Sequence, residues 1–172
     1  MNASTRLPHR AFGPALEVPG NNLTEKAASF VANDLAAFGI EFDGEWTIQN
    51  STGRHQWAFA NQSIEGIRVE GGKIITKWWN DQLVMWGADW FRDVEIPTGE
   101  QLSLMAIEEA ASAGLELDEW SAPQLDIVRL VALPGVQGTQ EWHLVQTIFI
   151  NGRVGAIPRS YETWVDVHSG EV

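Results

Sequence analysis

The apolar positions change their spacing within the first half of the chain. Between residues 22 and 39 they recur every three or four residues, and the run stops at Gly39. Asn22 and Glu25, three residues apart, have the spacing of a capping box, which closes the first turn of a helix. After residue 45 apolar and polar residues alternate instead, as they do in strands. The pattern predicts one amphipathic helix followed by four strands, at residues 46–50, 55–62, 73–79 and 82–91.

Polar turn sequences separate these strands. One lies at residues 50–53, and Asn80-Asp81 lies between two runs rich in aromatic residues. Asn and Asp tolerate the left-handed backbone that two-residue hairpin turns need. We therefore expect a tight hairpin at Asn80-Asp81, in which Trp79 is paired with Gln82.

The order of helix and strands then repeats. Thr98 and Gln101, after Pro97, form a second capping box, and the apolar stripe that follows ends at Gly114. Alternation returns at residues 125–133, 142–150 and 159–167. The predicted fold class is α+β, with two consecutive helix-plus-antiparallel-sheet units of cystatin-like type packed together.

These patterns divide the chain into three parts. Residues 1–21 are rich in Pro and Gly and predict an extended N-terminal arm. Residues 22–95 form the first helix-plus-sheet unit, and residues 96–172 form the second. We place the boundary within residues 95–98, where the second helix signal begins.

Composition narrows the function classes. The chain has 172 residues, of which 44% are hydrophobic, enough for a real core. Its 23 acidic residues outnumber 11 Lys and Arg, for a net charge of −12, which argues against nucleic acid. The acidity favours a basic partner, or serves solubility. The absence of cysteine excludes disulfides and thiolate chemistry, and the apolar runs are too short to predict a membrane span.

The residues that could carry chemistry lack the spacing that chemistry needs. Glu108-Glu109 and Asp118-Glu119 are typical of solvated charge. No nucleophile elbow or phosphate loop is present. Metal-ligand spacing is also missing among the histidines, which are His9, His55, His143 and His168. We expect no catalytic residue, no metal and no cofactor, so that the chain is not an enzyme.

Tryptophan is the unusual component, with nine residues. In the expected hairpin, one face carries Trp79, Val84, Trp86 and Trp90, and the other carries Trp78, Leu83 and Met85. Both faces are apolar, and one should cover the first helix. Trp79, Trp86 and Trp90 are therefore either internal packing or a candidate binding face for a partner or ligand.

One segment resembles a known family. The run WAFANQSIEGIRVEGG, residues 57–72, is similar to the core signature of the fungalysin/thermolysin propeptide (FTP) domain: an aromatic strand, a Gln, then Gly-hydrophobic-x-Val-x-Gly. The matching positions are Gln62, Gly66, Ile67, Val69 and Gly71. We expect a strand that turns at Gly66 and continues with Ile67 and Val69 on one face.

The end of the chain resembles a second domain of the same propeptides. YETWVDVHSGEV, residues 161–172, is similar to the terminal hairpin of the PepSY domain, with Asp166, Gly170 and Glu171 at the matching positions. In such a hairpin Asp166 bonds to the backbone of the turn and Gly170 takes a positive φ. The two motifs stand in the order that the family has.

The resemblance implies a function. It implies a secreted or extracellular propeptide-like module that acts as an intramolecular chaperone and protease inhibitor, with a thermolysin/fungalysin-type metalloprotease domain as partner in cis or in trans. No His-Glu-x-x-His sequence is present, and the sequence stops within the final hairpin, which is expected of either a fragment or a free-standing member. The alternative is a free-standing secreted binding domain whose tryptophan face takes glycan or protein ligands. A third class, an enzyme with a cone-like α+β fold, needs a paired acid and base that the sequence does not offer.

Overall fold

The computed structural model describes residues 5, 7–42, 44–50, 54–134 and 140–172. The chain divides into two compact units. Unit 1 is Met1–Ser63 with Gly71–Val94, and unit 2 is Ile64–Glu70 with Glu95–Val172. The fold is α+β and mostly sheet, with two α-helices in the described residues, in agreement with the predicted class.

The first helix of unit 1, α1 (Leu23–Phe30), starts where the capping box predicts. The Glu25 backbone N–H donates to Asn22 Oδ1 over 2.9 Å, and the Asn22 side-chain amide donates to the Glu25 carboxylate over 2.8 Å. The helical path continues through a π turn, Val31–Leu35, and a 3-10 turn, Ala36–Phe38. It ends at Gly39, whose φ of 69° closes the final turn, as predicted.

Five strands lie wholly or mainly in unit 1. They are β1 (Ala11–Leu16), β2 (Thr47–Asn50), β3 (His55–Ile64), β4 (Ile67–Trp79) and β5 (Gln82–Asp89), and the start of β4 belongs to unit 2. β1 is antiparallel to β5, β5 to β4 and β2 to β3, and β3 also pairs with β4. The predicted turn at residues 50–53 falls largely outside the described residues. The predicted arm is not free of regular structure, because β1 forms within it and pairs with the edge of β5.

The hairpin between β4 and β5 has the predicted turn. Asn80 and Asp81 have φ values of 48° and 63°, the combination that a type I′ turn requires, and Trp79 is paired with Gln82. The core of unit 1 lies between α1 and the sheet. Its buried members include Ala27, Phe30, Leu35, Ala58, Ile74 and Trp78.

Unit 2 contains the second helix and the remaining strands. They are α2 (Leu104–Ser112), β6 (Glu119–Trp120), β7 (Gln124–Pro134), β8 (Gln140–Val154) and β9 (Ile157–Asp166). β8 is antiparallel to β6, β7 and β9, and β7 also pairs with the start of β4 at Val69 and Leu130. That last pairing is parallel, so the predicted purely antiparallel sheet is wrong here.

The second helix starts later than the capping signal predicts. Its N-cap is Ser103, whose hydroxyl accepts from the Ala106 backbone N–H over 3.3 Å, and not Thr98. The reason lies outside the local sequence. The Leu102 backbone N–H donates to the Val167 carbonyl over 2.8 Å, which holds the residues before Ser103 extended. Ile107 and Ala111 form the buried face of α2.

Both α-helices are short. α1 has 8 residues and α2 has 9, and none of the helices in the described part of the chain has the length and apolar character needed to cross a membrane.

Candidate functional site

Gln62 holds the end of unit 1's last strand. It is buried in β3, and its side-chain amide donates to the Phe91 carbonyl over 2.6 Å, while the Phe91 backbone N–H donates to Gln62 Oε1 over 3.0 Å. A primary amide is the side chain that satisfies both backbone groups of one residue at once. The first position of the FTP-like motif is therefore used to fix the chain just beyond β5.

The other FTP-like positions build the turn between β3 and β4. Glu65 and Gly66 have φ values of 50° and 81°, so the chain reverses in a two-residue turn at the predicted place. Ile67 and Val69 follow in β4, and Val69 is fully buried. Gly71 also has a positive φ, 77°.

Asp166 organises the turn that follows β9. Its Oδ1 accepts from the backbone N–H groups of His168 and Ser169, over 2.9 and 2.8 Å. The Asp166 carbonyl accepts from the Gly170 N–H, and the Asp166 N–H donates to the Glu171 carbonyl, each over 2.9 Å. Gly170 has a φ of 76°, as the motif predicts.

The second carboxylate oxygen of Asp166 faces a histidine. His143 Nδ1 lies 2.8 Å from Asp166 Oδ2, and the His143 side chain is 25% exposed. Burial of Asp166 opposes ionisation, but hydrogen bonds from the Ser169 backbone, from His143 and from the His168 backbone together hold the pKa of Asp166 below its ordinary value. Asp166 is thus a charged anchor whose oxygens are engaged by its own unit.

The tryptophans do not form one open face. A β-bulge between Lys77 and Trp78 inserts one residue into β5, so that Trp78 is paired with Leu83 while Lys77 is paired with Met85. One extra residue inverts the alternation of side chains along β5. Leu83 therefore lies on the same face as Trp86 and on the opposite face from Met85. The prediction that Leu83 and Met85 share a face is wrong.

Trp86 and Trp90 are engaged on the helix side of unit 1. Trp86 lies 5.9 Å from Phe30 and 6.0 Å from Phe38 between ring centroids, and Trp90 meets Phe42 edge to face at 6.0 Å. Trp90 is only 7% exposed. Trp79, 45% exposed at the hairpin end, is separated from both by the alternation of β4.

Sequence reasoning missed an aromatic pair on the other face of the sheet. Trp57 and Phe59 stack at 6.0 Å with an interplanar angle of 11°, and Lys77 Nζ lies 5.1 Å above the Trp57 ring. The i, i+2 spacing of Trp57 and Phe59 in a strand was the available signal, because alternate residues share one face.

The remaining histidines are tied to their own units. His9 Nδ1 lies 2.9 Å from the Asp89 carboxylate, and His168 Nδ1 lies 3.1 Å from the Glu100 carbonyl. His55 is half-buried in β3. Within the residues that the structure describes, no three His, Asp or Glu side chains converge as a metal site would require.

Charge is distributed unevenly between the two units. Unit 2 has four Lys and Arg against fourteen Asp and Glu, a net charge of −10, whereas unit 1 has seven against nine, a net charge of −2. Residues 95–128 hold eight of these acids and no Lys or Arg. Such a surface attracts cationic groups over a distance of about 10 Å at ordinary ionic strength.

Comparison with known proteins finds a likeness among solved structures. No family model matches the chain, and no curated protein matches it. Among solved structures, the C-terminal domain of YpeB from Bacillus megaterium is similar with a TM-score of 0.40 and 13% identity, over 95% of this chain and 69% of that one. A similarity of this size does not identify an activity.

Proposed function

We propose that the chain is a propeptide-like binding module of the FTP-plus-PepSY type, which assists folding of a thermolysin/fungalysin-type metalloprotease domain and inhibits it. The module acts by protein–protein binding and not by catalysis, in a secreted or extracellular setting. Binding to the folded protease stabilises it by mass action, and the same contact blocks its cleft.

The observation that carries this proposal is the use of the polar motif side chains. Both polar groups of the Gln62 side-chain amide are hydrogen-bonded to the Phe91 backbone. The Asp166 carboxylate accepts from the backbone N–H groups of His168 and Ser169 and lies within hydrogen-bond distance of His143. Catalytic groups must keep an atom available for substrate. Motif residues that stabilise the backbone are typical of a binding module that acts through its surface.

The charge of unit 2 indicates which surface that is. A net charge of −10 over one unit is a poor match for an acidic partner and a good one for a basic patch. We assign the partner contact to unit 2 and the supporting role to unit 1.

The glycan-binding alternative is less favoured. It needs Trp79, Trp86 and Trp90 on one accessible face, and the rings of Trp86 and Trp90 are instead packed against Phe30, Phe38 and Phe42.

Refolding a denatured thermolysin-like catalytic domain with and without the intact chain tests the proposal. We expect a higher yield of folded protease and inhibition of peptide hydrolysis, both weakened by added salt because the contact is electrostatic. No gain in yield together with no inhibition would contradict the propeptide role.

A matched pair of charge variants locates the contact. Glu109→Gln with Glu116→Gln removes two exposed charges from unit 2, and Glu41→Gln with Glu45→Gln removes two exposed charges from unit 1. Only the first pair should weaken inhibition. Equal effects of the two pairs would show that the location of charge is irrelevant.

A further inference from the structure

A cavity lies beside the irregular end of the first helical segment, within unit 1. Its volume is about 510 Å³, which is in the range of small-molecule sites. One short stretch of the chain, residues 31–42, supplies its whole lining. The lining residues are Val31, Ala32, Ala36, Ile40, Glu41 and Phe42.

The helix beside the cavity changes its pitch. The Ala36 backbone N–H donates to the Val31 carbonyl, which is the hydrogen bond of a π turn, and a 3-10 turn follows. π turns are rare and often lie at functional sites. Neither Pro nor Gly occurs between Val31 and Leu35 to impose the change. Ala32 and Ala36, which line the cavity, have only a methyl group each, so the side chains of this segment leave the space open.

The apolar wall of the cavity is fixed in place by the core of unit 1. Val31 and Ile40 are buried, with exposed fractions of 2% and 1%. The Phe42 ring meets Trp46 and Trp90 edge to face, at 5.3 and 6.0 Å between ring centroids. A wall that is already ordered adds little ordering cost when a ligand binds.

Glu41 is the one polar side chain in this lining. It is exposed, and it forms no ion pair with another residue in the described part of the chain. The other five lining side chains are hydrocarbon, so a ligand must bind to them through apolar contact. A carboxylate beside an apolar wall favours a ligand with a cationic head, and the net charge of −12 acts in the same direction.

We propose that this cavity binds a small amphiphilic amine, with its aliphatic chain against Val31, Ile40 and Phe42 and its ammonium group beside Glu41. Burial of the aliphatic chain supplies most of the affinity. The carboxylate selects an ammonium group over a neutral or anionic head group on a chain of the same length. The site lies within unit 1, and its assignment does not depend on the propeptide role.

Titration of the intact ¹⁵N-labelled chain with 1-hexylamine at pH 7 tests the site. The amine is protonated at this pH, as the lysine side chain is. We expect shifts of backbone amide signals concentrated in residues 31–42, and an affinity about fivefold higher than that for 1-hexanol. Hexanoate should bind more weakly than hexanol because its charge matches that of Glu41.

Two pairs of variants separate the apolar contact from the charge. Ala32→Leu fills the cavity and should weaken the binding of both hexylamine and hexanol about tenfold. Its control is Ala28→Leu, an exposed helical position outside the lining, which should change neither affinity. Leucine is a good helix former, so both variants should fold.

The second pair tests the carboxylate. Glu41→Gln should weaken hexylamine binding about fivefold and leave hexanol binding unchanged. Glu45→Gln, at an exposed position outside the lining, should change neither.

Several results would overturn the proposal. Absence of binding, shifts concentrated outside residues 31–42, or full affinity in Ala32→Leu would exclude the cavity as the site. Equal affinities for hexylamine and hexanol would exclude selection of a cation. Tighter binding of a lysine blocked at both backbone ends than of hexylamine would assign the cavity to a lysine side chain of a partner protein instead.

Discussion

The two units bury different kinds of side chain. Unit 1 buries Phe30, Trp78 and Trp90 and packs Trp46 and Trp86 against them. Among the described residues of unit 2 no aromatic side chain is buried, and its core consists of aliphatic residues such as Ile107, Leu130, Ile148 and Val165. Aromatic side chains contribute the largest buried areas. The core of unit 1 therefore contains the largest buried side chains.

Unit 2 combines its aliphatic core with most of the charge. Its net charge is −10, so its acidic side chains repel one another. The charged Asp166 carboxylate accepts the hydrogen bonds that form its last turn. Under the proposed function, this difference assigns the supporting role to unit 1 and the partner surface to unit 2.

Trp78→Ala should have the largest effect. Trp78 is fully buried and its Nε1–H donates to Thr76 Oγ1 over 2.9 Å, so the change leaves a cavity and removes this hydrogen bond, while the Thr76 hydroxyl still donates to the Ala58 carbonyl over 3.3 Å. We expect a loss of about 3–5 kcal/mol in the free energy of unfolding, measured by urea titration. Trp79→Ala, at an exposed neighbour, should cost less than about 1 kcal/mol. Similar losses for both variants would mean that unit 1 has no aromatic core.

Gln62→Leu should have the second largest effect. The leucine keeps the volume of the side chain but leaves the partly buried N–H and carbonyl of Phe91 without their Gln62 contacts. We expect a cost of about 1–3 kcal/mol, with faster hydrogen exchange at the Phe91 amide. Gln49→Leu, on an exposed strand, is the control. An unchanged Phe91 amide would show that the clamp does not hold the end of unit 1.

Asp166→Asn should have a smaller, pH-dependent effect on unit 2. A pKa lowered by folding stabilises the folded state at pH values above the ordinary Asp pKa of about 3.9, and this stabilisation is lost as the pH falls through the folded-state pKa. The variant should therefore be less stable at pH 7 by about 1–2 kcal/mol.

The gap between wild type and Asp166→Asn should close in acid. Urea titrations from pH 7 to pH 2 measure it, with Glu116→Gln in the same unit as the control at an exposed position. A gap that widened as the pH fell would have the wrong sign for a stabilising carboxylate.

Salt should have the smallest effect. Raising the ionic strength screens the self-repulsion of unit 2 but leaves unit 1, with a net charge of −2, nearly unaffected. We expect slower amide exchange in residues 95–172, which corresponds to an increase of less than about 1 kcal/mol in the free energy of local opening. Equal slowing in both units would remove the electrostatic part of the comparison.

Local patterns predicted the features whose causes are local. The capping box at Asn22 and Glu25, the turn at Asn80-Asp81 and the Asp166 turn each depend on residues within six positions of one another. Their chemistry is therefore present in the sequence itself.

Long-range pairings escaped prediction. The parallel contact of β4 with β7 joins Val69 to Leu130, and the partner of Gln62 is Phe91, 29 positions away. The late start of α2 has the same kind of cause, a bond from Leu102 to Val167. Periodicity shows that a residue lies in a strand and does not identify its neighbour.

The tryptophan face shows how one residue can change a prediction about a site. Perfect alternation places Leu83 and Met85 together, but the bulge at Val84 separates them and moves Trp86 to the side of Leu83. Bulges have weak sequence signals, so the side chains beyond them are the least predictable part of a strand.

The central claim is that unit 2 carries the partner surface and unit 1 supports it. Hydrogen exchange of the intact chain, alone and with an inactive thermolysin-like catalytic domain at saturating concentration, tests it most directly. The account predicts new protection of amides within residues 95–172 and little change in residues 7–63 and 71–94. A complex that protects unit 1 alone, or no complex at all, would contradict it.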